Sequence, residues 1–169
     1  MVIRKIILLF VSAVTVTGCG YRLSGTGAFL PEHLQTILIR NFENETSRYQ
    51  AEQFVTFAVR DEFIRRSRLK LVENLDRADA VLEGKIVSFE VKPVSYTESA
   101  ADKYQVSITL EIRLMDLKKG RVLFEDRNLR YLDSYDIDSA DFFSMETQSL
   151  ERISNTFARS VVTTILEDF

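Results

Sequence analysis

Residues 103–117, KYQVSITLEIRLMDL, alternate without a break. Tyr104, Val106, Ile108, Leu110, Ile112 and Leu114 fall on one side, and Gln105, Ser107, Thr109, Glu111 and Arg113 on the other. Side chains of a strand point to opposite faces in turn, so this pattern demands a long strand with one face buried and one wet. A strand of that kind needs neighbours. KKGR, 118–121, reads as a hairpin turn in which Gly120 supplies the permissive backbone, and VLFEDRNLRYL, 122–132, reads as the return strand. Upstream, AVLEGKIVSFEVKPVSY, 80–96, is a long strand expected to bend near Gly84 and near Pro93, with ESAAD as the turn that follows. Pro93 has no N–H to give a ladder, which places it at an edge or a strand exit.

The flanking segments change period. TILIRNF, 36–42, is β-branched and bounded by turn-formers, so it reads as a strand. Thr46 or Ser47, in the loop ENETS, could cap a helix running to about Arg66. Within it Glu52, Gln53, Thr56 and Arg60 share one face, and Ala51, Phe54, Val55 and Ala58 another. LKLVE, 69–73, is a short strand and NLDRAD a turn. The acidic DSYDIDSAD, 133–141, precedes a long helix at 142–167 with an apolar stripe of Leu150, Ile153, Phe157, Val161 and Ile165. Strand, helix, three or four strands, helix is the order of an α+β domain. The expected architecture has two layers: two helices packed on one face of a largely antiparallel, mixed sheet of about four strands.

The start of the chain is of another kind. Arg4 and Lys5 precede an uncharged run at 6–16, too short for a membrane-spanning helix, and small residues then lead to Cys19, the one cysteine. Val16-Thr17-Gly18-Cys19 resembles a bacterial lipobox, in which the thiol is acylated and the chain is cut just before it. The expected organisation is a lipoprotein signal peptide at 1–18, a lipidated glycine-rich tether at 19–31, and a single α+β domain at 32–169. Each buried CH₂ contributes about 0.8 kcal/mol, so one acyl chain anchors marginally and several on Cys19 would hold the domain at the membrane. Gly20 after the cysteine is not the aspartate that retains enteric lipoproteins in the inner membrane, so by resemblance the outer membrane is expected.

Composition narrows the function. Loss of Arg4 and Lys5 with the signal takes the net charge from −3 to −5, against the basic excess of a nucleic-acid binder. His33, the one histidine, lies in a loop beside Pro31 and Glu32 with no nucleophile motif near it, and reads as a surface residue. Asp133, Asp136, Asp138 and Asp141 lack the glycine and spacing of a calcium loop. Helix capping and solvation account for them better. Glu43, Glu45, Asp76 and Asp79 lie in turns without evident partners. No cofactor loop or metal set is present in the sequence, and no enzyme is expected. Arg60, Arg65, Arg66, Arg68 and Lys70 cluster around the end of the first helix, where cations suit the helix dipole. Their functional alternative is recognition of the phosphates of an anionic glycolipid, with Lys85, Lys92 and Lys103 as further candidates.

Several segments together carry a family resemblance: CGYRLSG after the lipobox, LPEHLQTILIRNFENET, FIRRSRLKLVE, ADAVLEGKI, SYTE and YQVSITLEIRLMD. They resemble the LptE family of lipopolysaccharide-assembly lipoproteins from Cys19 to about Leu132. The resemblance implies a domain of two helices on a sheet of about four strands, seated as a plug inside the LptD barrel translocon of the outer membrane. It implies lipopolysaccharide as a ligand and a part in assembling the barrel. Of the site residues only Cys19 carries over by motif. ADAVLEG also resembles strands of curli-secretion lipoproteins, so an accessory or pore-related secretion lipoprotein is the alternative.

Overall fold

A computed structural model describes residues 30–97, 100–136 and 142–167. The signal peptide, Cys19, Asp138 and Asp141 lie outside the described residues. The chain forms β1 (Thr36–Ile39), β2 (Glu43–Asn44), α1 (Ala51–Arg66), β3 (Lys70–Leu71), a 3₁₀ turn at Leu75–Arg77, β4 (Ala80–Thr97), β5 (Ala100–Asp116), β6 (Arg121–Asp136) and α2 (Phe142–Glu167). The sheet has six strands rather than about four, in the order β3-β1-β4-β5-β6, with β2 also pairing β4. β3 is the two-residue core of the short strand expected at 69–73, and β2, also two residues, is too short to leave a period in the sequence. Pairings of β1 with β3 and β4 and of β2 with β4 are parallel, and the β4–β5–β6 meander is antiparallel, so the sheet is mixed.

The alternation of β5 is realised residue by residue. Val106, Ile108, Leu110, Ile112 and Leu114 are all at most 2% exposed, and Tyr104 packs partly buried against them. They face the helices. The expected stripe of α2, Leu150, Ile153, Phe157, Val161 and Ile165, is buried against the sheet and against Ala51, Val55, Ala58, Val59 and Phe63 of α1 in one continuous core. Phe157 stands edge-on to Phe42 and to Tyr131, with centroids 5.9 and 5.6 Å apart. Leu30, which the sequence assigns to the tether, is already 2% exposed in that core.

The two helices run parallel, tied at both ends. Arg48 Nε lies 2.6 Å from Glu146 Oε1 as an ion pair without in-line hydrogen-bond geometry, and its Nη2 donates to Thr147 Oγ1 at 2.9 Å. At the far end Arg66 Nη2 lies 3.1 Å from Glu167 Oε1, and Nη1 donates to Thr163 Oγ1.

Local details depart from the sequence reading. Neither Thr46 nor Ser47 caps α1. Asn44 Oδ1 accepts from the amide and hydroxyl of Thr46, and Thr46 Oγ1 accepts from the Arg48 amide, so these side chains shape a loop. The helix begins after Gln50, whose φ of 64° is left-handed. Thr56 is not on a wet face: it is 4% exposed and its hydroxyl accepts from the Phe42 amide at 2.9 Å. β4 keeps its pairing through Gly84 and shifts register between Ile86 and Ser88, then again on either side of Ser95. Gly84 is needed for another reason. A Cβ there would stand 2.2 Å from the Phe42 ring. Gly120 holds the expected turn at φ 61°. Pro93 pairs with Tyr104 of β5 on one side, beyond the point where β2 leaves the other side of β4.

Candidate functional site

The basic cluster is spread over several segments. Arg60 Nη2 donates to the Ile39 carbonyl at 2.7 Å and to Asn41 Oδ1 at 3.0 Å. Arg65 Nη2 lies 2.9 Å from Asp61 Oδ2 and 2.8 Å from Glu62 Oε2 on its own helix. Arg66 turns toward α2. Arg68 Nη2 donates to the Leu30 carbonyl at 3.0 Å, clasping the N-terminal segment. Lys70 is exposed and has no ion pair among the described residues. These cations therefore tie elements together as well as meeting the helix terminus. The other candidates also have carboxylate neighbours: Lys85 with Glu45 and Glu111, Lys92 with Glu90, and Lys103 with Asp136.

His33 is not a free surface residue. Its Nε2 lies 2.8 Å from Asp116 Oδ2, and the Asp116 side chain is 0% exposed. Burial by itself raises the Asp116 carboxyl, but the Lys119 amide and the His33 bond outweigh it and leave it lowered. Asp79 has partners that turn residues hide from a linear reading. Lys118 Nζ lies 2.8 Å away, and the amides of Gln35 and Thr36 donate at 2.7 and 3.1 Å. The lysine first, then the Gln35 amide, pull its carboxyl down to about 2. Both acids pin the N-terminal segment to the β5–β6 hairpin and the start of β4. Asp133 and Asp136 lie in β6, so they do not cap the helix that follows. Asp133 Oδ2 accepts from Ser149 Oγ at 2.8 Å and from Arg152 Nε at 2.9 Å, joining β6 to α2.

Two surfaces remain for partners. Along α1 runs a depression of about 700 Å³ lined in part by Gln53, Phe57, Arg60 and Glu151. Phe57, on the helix crest, is 74% exposed, so the feature is an open surface. The sequence pattern passed over Phe57 because it interrupts the polar face; an aromatic at that position was the signal. The second surface is the outer face of the sheet, which neither helix covers. There the register sets Glu83 opposite Arg113 and Arg113 opposite Glu125. Arg40 Nε lies 3.0 Å from Glu83 Oε1, and Arg127 Nη2 lies 2.9 Å from Glu125 Oε1. Charge thus alternates across β4, β5 and β6, with Arg40, just past the end of β1, at one end of the row. Among the described residues no group of three or more His, Cys, Asp or Glu could hold a metal ion, and no helix is long and apolar enough to cross a membrane.

The sequence model of LptE, described as lipopolysaccharide-assembly, matches residues 34–165, from before β1 almost to the end of α2. The chain belongs to the LptE family. Among curated protein sequences none matches this member. Its fold recurs in solved structures of low identity. A Xanthomonas campestris protein superposes with TM-score 0.55 at 14% identity, covering 80% of this chain and 86% of that one. Lipoprotein B of Nitrosomonas europaea gives TM-score 0.53 at 16% identity, covering 85% and 90%. A Chlamydia trachomatis protein gives TM-score 0.51 at 11% identity, covering 78% and 95%. At these identities the likeness is one of fold. Family membership makes this LptE-type chain a lipopolysaccharide-assembly protein of the cell envelope.

Proposed function

We propose that the chain is an outer-membrane lipoprotein, anchored through acyl groups on Cys19, that plugs an LptD-type β-barrel, helps it assemble and takes part in moving lipopolysaccharide to the cell surface. The observation that carries this reading is the family match over residues 34–165, which takes in all of the sheet and nearly all of both helices. The chemistry of the surface supports it. A plug must be firm inside and polar outside, because the lumen of a large barrel is polar. Here the core is continuous, and the uncovered sheet face carries paired charges. The β5–β6 hairpin is long enough for a membrane-spanning hairpin, yet its outward side holds Glu111, Arg113 and Glu125, which lipid would reject. The family is one of assembly, and non-catalytic work is the reading for this member.

Lipopolysaccharide phosphates remain the proposed ligand of Arg60, Arg65, Arg66, Arg68 and Lys70. Lys70, exposed and without an ion pair among the described residues, is the first of these that an anion would meet. Depletion of the protein tests the function. Surface lipopolysaccharide should fall and folded barrel should be lost with it; unchanged levels of both would contradict the proposal.

A further inference from the structure

The outer sheet face holds one cation that its neighbours leave unmatched. Arg113 projects from near the C-terminal end of β5, exposed, between Glu83 on β4 and Glu125 on β6. Those two carboxylates are engaged by Arg40 and Arg127 at the ends of the row. Arg113 itself has no ion pair among the described residues. The next row inward runs Glu45, Lys85, Glu111, with Lys85 Nζ 3.3 and 3.4 Å from its two acids. Around these rows the twisted sheet forms a depression of about 320 Å³. The two rows thus differ: one is closed on itself, and the other presents a guanidinium from the floor of a hollow.

We propose that this face is the surface by which the domain seats against the inner wall of its barrel, with Arg113 taking a carboxylate from that wall. The inference rests on the plug reading and specifies its interface. Charge decides the occupant. Ile112 is the one apolar side chain of any size in the lining and is 2% exposed, so an acyl chain finds no seat. The acids Glu43, Glu83, Glu111 and Glu125 balance the cations Arg40, Lys85, Arg113 and Arg127, so the hollow has no positive excess to draw a phosphate. A wall of mixed polar side chains can meet the bound pairs by hydrogen bonds and add the single acid that Arg113 lacks. A planar guanidinium binds such a carboxylate through two parallel N–H donors. The arrangement gives orientation: turned over, the sheet would set Arg113 away from the stretch of wall that carries its carboxylate.

The test uses the full lipidated chain co-expressed with its LptD-type barrel. Arg113→Glu makes the centre of the row three acids in succession, and like charges disfavour a wrong pairing strongly. Barrel recovered with the chain should fall on the order of tenfold, and Arg113→Gln, which adds no like charge to the row, should also lower recovery while the purified protein keeps its melting temperature. A photocrosslinking residue at position 113 should yield an adduct with the barrel. Full recovery of barrel by Arg113→Glu, or no adduct from position 113, would overturn the proposal. If the unaltered chain recovers no barrel, the plug reading itself falls and takes this interface with it.

Discussion

At the scale of single residues, the chain solves a problem set by its own N-terminal segment. Residues 30–36 lead into a packed sheet, and buried or partly buried carboxylates hold them there. Asp116 receives His33, and Asp79 receives the amides of Gln35 and Thr36 together with Lys118. The Asp79 arrangement makes a pH prediction. Its folded pKa, about 2, lies below the ordinary value of 3.8, so folding favours the ionised form. The stability it adds is present above 3.8 and is lost as pH falls toward 2. Urea unfolding followed between pH 5 and pH 2 should show a steeper loss for the native chain than for Asp79→Asn; equal slopes would remove Asp79 from the account. None of this was legible in sequence. Asp79 and Lys118 are far apart in the chain and each looks like an ordinary turn residue.

At the scale of elements, legibility followed the period. The inward residues of β5 and the stripe of α2 were readable because a strand repeats every two residues and an amphipathic helix every three or four. Where tertiary contacts override the local pattern the reading failed. Asp133 points inward from β6, yet Ser149 and Arg152 satisfy it, so an acidic segment hides the last turn of a strand. Thr56 looks polar and is buried, because the Phe42 amide needs an acceptor. Gly84 was read as a bend, but its role is to admit the Phe42 ring, itself fixed against Phe157. Gly84→Ala should therefore overpack the contact between β4 and the β1–β2 connection and cost about 1–3 kcal/mol in chemical denaturation. A variant as stable as the parent would show that the ring can move aside.

At the scale of the whole molecule, the parts divide by face. One side of the sheet supports two parallel helices and the core, and the other carries charge in rows. The candidate phosphate-binding cations were legible as a cluster in sequence, but their separate partners were not, since Ile39, Leu30 and Glu167 come from distant segments. The fold alone is shared with several solved proteins, so function rests on family and on surface chemistry. The anchor is tested separately from the domain. Cys19→Ser should move the protein from the membrane to the soluble fraction of the envelope, because no described helix could hold it in a bilayer; a variant that stays membrane-bound would contradict anchoring at Cys19. The central claim is that this domain is a barrel plug. Its most direct measurement is the composition and stoichiometry of the complex recovered when the intact lipoprotein is purified from detergent-solubilised outer membrane. The account predicts a one-to-one complex with an LptD-type barrel. A ring of identical copies, or the lipoprotein without a barrel, would contradict it.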